Sequence, residues 1–118
     1  VPDGSRMAQK GYEWLAKRWD EQKAKQIPIV EKLMNLAKEK LDTTITCLAI
    51  AWCIKNKNVS TVLLGATKEH QIKENLKALA IAKKLTPDIM KEIDEITGTK
   101  PTLPGHYGRF LENKTNPL

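Results

Sequence analysis

The sequence has few of the residues that mark several common classes of protein. Among 118 residues there are only 2 cysteines and 2 histidines, and aromatic residues make up 5% of the chain. Neither Cys47 nor Cys53 has a Cys or His partner at the spacing of metal ligands, so we expect no metal site. Both cysteines are typical of small buried residues in a reducing compartment. His70 and His106 are isolated in the sequence, and we expect both at the surface.

The chain also lacks a long hydrophobic run. No apolar stretch approaches the ~20 residues that span a bilayer, so we expect no direct insertion into a membrane. The net charge is +6 and the pI is near 9.4, because 20 lysines and arginines outnumber 14 aspartates and glutamates. The lysines are spread along predicted helices without interleaved aromatics, which favours solvated helix faces over a nucleic-acid surface.

Residues 59–79 form the most informative stretch, which reads VSTVLLGATKEHQIKENLKAL. Val59 and residues 61–64 are β-branched or apolar, and they predict one strand buried on both faces, as in a parallel sheet. Gly65 ends that run, and Thr67 is the predicted N-cap of a helix that follows. The helix has one apolar stripe at Ile72, Leu76 and Leu79.

Polar groups suited to a nucleotide occur where this predicted helix begins. Free N–H groups and the helix dipole attract anions, so Gly65, Ala66 and Thr67 are a candidate phosphate site. Three polar side chains share a face at positions i, i+3 and i+4, namely Gln71, Glu74 and Asn75. Together they supply donors and acceptors for a purine edge. Each feature also has a plainer interpretation, as an ordinary strand-to-helix turn and a solvated helix face.

Helical periodicity also occurs in four other parts of the chain. The predicted starts are Tyr12, Pro28 in a first helical turn, Thr43 as an N-cap and Thr86 as an N-cap. We expect the helix after Thr43 to be the most deeply buried, because it is apolar around much of its circumference. Residues 80–84 are predicted to be a connector, and Gly98 to end the last helix.

Four stretches of the chain resemble one known family. Aldo-keto reductases contain segments similar to SRMAQKGYEWL at 5–15, LAIAWCIKNKNVSTVLLGAT at 48–67, GATKEHQIKEN at 65–75 and LTPDIMKEIDEITGTKP at 85–101. Within that family the beta subunits of voltage-gated potassium channels are the most similar. The resemblance extends over about residues 5–107, and several matching segments together are more specific than one glycine turn.

The resemblance implies an α/β fold, the (β/α)8 or TIM barrel. Such a barrel needs about 250 residues, so we expect the chain to be the C-terminal portion of a longer protein. That portion would be mostly helices, with one or two parallel strands. The resemblance assigns residues 1–98 to the barrel. The prolines and glycines that follow predict an extended C-terminal tail over residues 99–118.

The resemblance also implies a site for the adenosine end of NADPH. Its predicted residues are Arg6, Gly65, Thr67, Lys68, Gln71, Glu74 and Asn75. Arg6 aligns with a basic residue that contacts the 2′-phosphate, and Thr67 replaces a common Ser while keeping its hydroxyl. Lys68 is basic as in many members of the wider family, although the channel subunits have an uncharged residue there. Gly65 lets the backbone approach the cofactor, and the remaining three would hold the adenine and its ribose edge.

Carbonyl reduction in this family uses a tyrosine acid assisted by lysine, aspartate and, in many members, histidine or asparagine. None of those motifs lies in this chain, so we assign no catalytic residue, and Tyr12 and Tyr107 are not candidates. Whether the chain itself belongs to an active enzyme is left open.

The most similar relatives imply a regulatory function. We expect an NADPH-binding beta subunit that acts on the gating or trafficking of a potassium channel and retains slow carbonyl reduction. It would be a cytoplasmic homotetramer, held at the inner face of the plasma membrane by the channel alpha subunit. The alternatives are a catalytic reductase of aldehydes and ketones that binds no channel, and a small helical domain without a cofactor.

Overall fold

A computed structural model describes residues 4–100 of the chain. Within that range the chain forms a short 3₁₀ helix, Arg6–Ala8, and four α-helices. These are α1 (Glu13–Leu41), α2 (Ile45–Lys55), α3 (Glu69–Lys84) and α4 (Pro87–Thr97). Among the described residues no helix is both long and apolar enough to cross a membrane. Residues 1–3 and 101–118, with most of the predicted tail, lie outside the described range, as does the side chain of Arg6.

Local sequence signals set the ends of two helices. The Thr86 hydroxyl accepts a hydrogen bond from the backbone N–H three residues later at 3.3 Å, and Pro87 follows in the first turn of α4. Gly98 ends α4 in the left-handed conformation, with φ of 59°, which confirms both predicted ends. The N-cap of α2 is Thr44, so the predicted N-cap at Thr43 is wrong by one residue.

The predicted helix start at Pro28 is wrong. α1 runs through Pro28 without interruption over 29 residues. Proline has no N–H to donate and its ring crowds the carbonyl four residues earlier, which costs about 3 kcal/mol inside a helix. The charged run at 17–26 and the residues after Pro28 are rich in Glu, Gln, Lys and Leu, which are good helix formers and continue the helix on both sides.

The core lies between the C-terminal part of α1 and the other three helices. α3 packs mainly against α2, and α1 contacts both α2 and α4. The buried apolar residues are Leu36, Ala37, Leu41, Cys47, Leu48, Ala51, Ala78, Ile81, Ala82, Leu85 and Ile93. α4 covers this cluster with Ile89, Met90, Ile93 and Ile96. An ion pair between Lys40 and Glu92 joins α4 to α1.

The predicted buried strand is not present in the described residues. Val59 and residues 61–64 belong to an irregular segment, and Leu63 is 92% exposed. A strand is defined by hydrogen bonds to a neighbouring strand, and residues 4–100 supply no such neighbour. The regular secondary structure of residues 4–100 is therefore entirely helical, and the predicted strand is not confirmed.

The predicted apolar stripe of α3 is half exposed. Ile72, Leu76 and Leu79 face away from the core, whereas Asn75 and Ala78 face α2. The helical period was right, but within the described residues α3 has a packing partner on only one face. α3 also continues to Lys84, so the predicted connector at 80–84 is wrong. The prediction for α2 holds in part, since Leu48 is buried but Trp52 is 41% exposed.

Replacing Pro28 with alanine should stabilise the protein. Because Pro28 lies inside α1, Pro28→Ala restores a backbone hydrogen bond and should raise the free energy of unfolding by up to about 3 kcal/mol. Far-UV circular dichroism and urea unfolding would measure the change, with Lys25→Ala on the same exposed helix as the propensity control. An unchanged or lower stability would mean that the helix begins at Pro28, as the sequence suggested.

Two leucines of one segment should differ sharply in their contribution to stability. Leu85 is 1% exposed and Leu76 is 55% exposed. Leu85→Ala should lower the free energy of unfolding by about 2–5 kcal/mol, because it leaves a cavity in the core. Leu76→Ala should change it by less than about 0.5 kcal/mol. Equal losses in urea unfolding would show that the α3 stripe is covered in solution.

Candidate functional site

A cleft of about 720 Å³ lies where residues 65–67 meet α3 and the start of α2. Its volume falls within the range of small-molecule sites, about 300–1,000 Å³. The lining residues are Thr46, Gly65, Ala66, Thr67, His70, Gln71, Glu74 and Asn75. The structure therefore brings together five of the seven residues that the sequence assigned to a cofactor site, all except Arg6 and Lys68.

The side chain of Gln71 holds the turn that leads into α3. Its Oε1 atom accepts hydrogen bonds from the Thr67 N–H at 2.9 Å, the Lys68 N–H at 3.1 Å and the Thr67 hydroxyl at 3.3 Å. α3 begins at Glu69 with Lys68 as its N-cap residue, so the predicted N-cap at Thr67 is wrong by one residue. Since its carbonyl oxygen is engaged in the turn, Gln71 has its amide N–H groups to offer a ligand.

Glu74 is attached to α2 at two points. Its Oε1 atom accepts a hydrogen bond from the Thr44 hydroxyl at 2.8 Å, and its backbone carbonyl accepts one from the thiol of Cys47 at 3.2 Å. Cys47 is 1% exposed, so the second contact lies within the core. A carboxylate has two oxygens with about four acceptor sites, so Glu74 keeps acceptor capacity for a ligand in the cleft.

Asn75 is the buried polar residue of the described range, with 8% of its surface exposed. It lies on the α3 face that packs against α2, and it also lines the cleft. Burying an amide is costly unless hydrogen bonds satisfy it. A donor and an acceptor placed at a buried position in a cleft are therefore well suited to read the polar edge of a bound molecule.

Two predicted site residues do not line the cleft. Lys68 is exposed beside Thr67, and its backbone contacts Gln71 twice. Its N–H donates to the Gln71 side chain at 3.1 Å, and its carbonyl accepts from the Gln71 N–H at 3.1 Å. Arg6 begins the 3₁₀ helix that packs against α1, but its side chain lies outside the described residues. The predicted contacts of both side chains with a phosphate remain predictions.

Sequence reasoning missed three residues at the site. His70 is exposed, as expected from the sequence, but it also lines both the cleft and a smaller neighbouring cleft of about 480 Å³. Its position four residues before Glu74 places both on one helix face, which was a usable signal. Thr44 and Thr46 come from the start of α2, and no spacing in the sequence indicates that they approach α3.

The chemistry of the lining fits an organic ligand with an anionic group. It offers two hydroxyls, two amides, one imidazole and one carboxylate beside a helix N-terminus. Among residues 4–100 no group of three or more His, Cys, Asp or Glu side chains has the arrangement of a metal site. The donors and acceptors along α3 can form hydrogen bonds with the polar edge of a planar organic group.

Comparison with known families gives an independent result. The model of the aldo/keto reductase family matches residues 4–97. This range covers all four helices and every residue assigned to the predicted site, including Arg6 and Lys68. The match confirms the resemblance at the level of the family. The chain belongs to the aldo/keto reductase family.

Proposed function

We propose that the chain binds the adenosine end of NADPH within an oxidoreductase that reduces carbonyl groups. The observation that supports this proposal is the cleft, in which one turn and one helix face gather Gly65, Thr67, Gln71, Glu74 and Asn75. Membership of the aldo/keto reductase family supports a nicotinamide cofactor. The distinction between NADPH and NADH rests on the turn before α3.

The proposed 2′-phosphate site is the turn at Gly65, Ala66 and Thr67. The Thr67 hydroxyl contacts a neutral amide oxygen at 3.3 Å, which is long for an O–H donor. A phosphate dianion is a stronger acceptor, so the hydroxyl would exchange the amide for it. The nearby N-terminus of α3 favours negative charge, and we propose that Arg6 and Lys68 add to this attraction.

The proposed adenine site lies along the first two turns of α3. Glu74 would accept a hydrogen bond from the exocyclic amine with the oxygen that Thr44 does not engage. Asn75 would supply both a donor and an acceptor from its buried position, and Gln71 a donor. All three line the cleft, and their spacing of i, i+3 and i+4 places them on one side of α3.

We propose that the exposed apolar residues are covered by further strands and helices of a (β/α)8 barrel in a longer chain. The residues concerned are Leu63, Leu64, Ile72, Leu76 and Leu79. Residues 61–64 have the β-branched and apolar composition of a parallel strand, and the family match supports this fold. Hydride transfer to an aldehyde or ketone would then use residues elsewhere in that barrel, since we assign no catalytic residue to this chain.

The resemblance of residues 48–67 and three other segments to channel beta subunits favours a second, regulatory function. In that function the chain belongs to a cytoplasmic homotetramer beneath a potassium channel, and the bound NADPH links the redox state of the cell to gating or trafficking. The alternative is a reductase of aldehydes or ketones that has no channel partner. Both functions use the same nucleotide site.

The proposed phosphate contact predicts a change in cofactor preference. Thr67→Ala should weaken NADPH binding by roughly tenfold, because a charge-assisted hydrogen bond is lost, and NADH binding by less than about twofold. Titration of each nucleotide into the protein, followed by nucleotide fluorescence, measures both affinities. Thr99→Ala, which removes an exposed threonine outside the cleft, is the matched control. Equal losses for the two nucleotides would reject the 2′-phosphate assignment.

The regulatory function predicts a stable complex with a channel. The protein should co-purify with the cytoplasmic N-terminal tetramerisation domain of a voltage-gated potassium channel in a 4:4 ratio, measured by light scattering after size exclusion. A helical domain of similar size and charge is the control for nonspecific adsorption. Nucleotide binding without any complex would favour the reductase that has no channel partner.

A further inference from the structure

We propose that Thr44 is a positioning residue of the nucleotide site. Its hydroxyl fixes the carboxylate of Glu74 in the orientation that the adenine requires. This inference rests on the proposed function, because it deepens the account of the same cleft. Thr44 itself does not line that cleft and acts through Glu74.

The hydrogen bonds at Thr44 have only one consistent direction. Its Oγ1 atom accepts from the backbone N–H of Cys47 at 3.3 Å and lies 2.8 Å from Oε1 of Glu74. A hydroxyl has one proton and two acceptor sites, while an ionised carboxylate has acceptors only. The single proton of Thr44 therefore points to Glu74. The N–H, the hydroxyl and the carboxylate form one polarised chain from the first turn of α2 to α3.

A second contact fixes the backbone of Glu74. The thiol of Cys47 donates to the backbone carbonyl of Glu74 at 3.2 Å, so α2 holds the backbone of this residue while Thr44 holds its side chain. A glutamate on a partly exposed helix face otherwise samples several rotamers. Ordering one such side chain before the ligand arrives is worth roughly twofold to tenfold in affinity.

The dual role of Thr44 defines the variants that test the proposal. Aspartate caps a helix at least as well as threonine, so Thr44→Asp keeps the N-cap of α2. It has no proton to donate at neutral pH, and its charge repels the carboxylate of Glu74. Asparagine has nearly the same shape, caps equally well, and has an amide that can donate to Glu74. The two variants therefore separate carboxylate positioning from helix capping.

The experiment is a double-mutant cycle on the affinity for NADPH. Thr44→Asp should weaken binding by roughly tenfold, while Thr44→Asn should stay within about threefold of the wild type. In the Glu74→Ala background, Thr44→Asp should add less than about twofold, since its effect passes through the missing carboxylate. If Thr44→Asp does not fold, the same cycle with Thr44→Ala measures the coupling, because loss of the cap affects both backgrounds equally.

α4 offers a matched control for the capping change. Thr86 is the N-cap of that helix, and its hydroxyl accepts a backbone N–H at the same 3.3 Å distance, away from the cleft. Thr86→Asp should leave NADPH affinity unchanged. Urea unfolding of the Thr86→Asp variant should give a midpoint near that of the wild type.

The outcomes separate the two proposals. Wild-type protein without saturable NADPH binding rejects the proposed function and the positioning role together. Wild-type binding with a neutral Thr44→Asp rejects the positioning role alone. The positioning role is also rejected if Thr44→Asp lowers the NADPH affinity as much in the Glu74→Ala background as in the wild type. The effect would then not pass through Glu74.

Discussion

The packing of α3 against α2 is the constraint on which the cleft depends. Ala51 and Ala78 are both fully buried, and such small side chains let neighbouring helices approach closely. At this separation the thiol of Cys47 reaches the carbonyl of Glu74, and Thr44 reaches its carboxylate. The turn and helix of residues 65–75 therefore meet the start of α2 and form a concave surface. A larger side chain at either alanine would separate the two halves of the site.

The ends of helices were predictable where one residue decides them locally. Thr86 and Gly98 act within a single turn, through an N-cap hydrogen bond and a left-handed C-cap, so no distant contact is needed. The predicted helix start at Pro28 was wrong because good helix formers on both sides outweighed the preference of proline for the first turn of a helix. The composition of residues 61–64 cannot by itself determine whether they form a strand. A strand exists only with a hydrogen-bonded neighbour, and that neighbour depends on the rest of the fold.

The candidate site was predictable to the extent that it is contiguous. Residues 65–75 form one turn and one helix face, so their spacing alone placed most of the lining together. The hydrogen-bonding role of each side chain was harder to predict from the sequence. Gln71 was assigned to the adenine, yet its carbonyl oxygen holds the turn, because backbone conformation decides which groups an amide meets. The contribution of Thr44 depends on how two helices pack, which single-sequence periodicity does not encode.

The same hydrogen bonds indicate whether the proposed nucleotide site depends on the pairing of residues 59–64 with other strands. The contacts that shape the cleft join Gln71 to the turn, Thr44 to Glu74 and Cys47 to Glu74. None of them involves residues 59–64, whose apolar side chains are mostly exposed. Pairing that segment with other strands would bury apolar area, worth about 25 cal/mol per Å². Among the described residues the cleft is thus formed by the helices and the turn, and the proposed strand pairing would add to its stability.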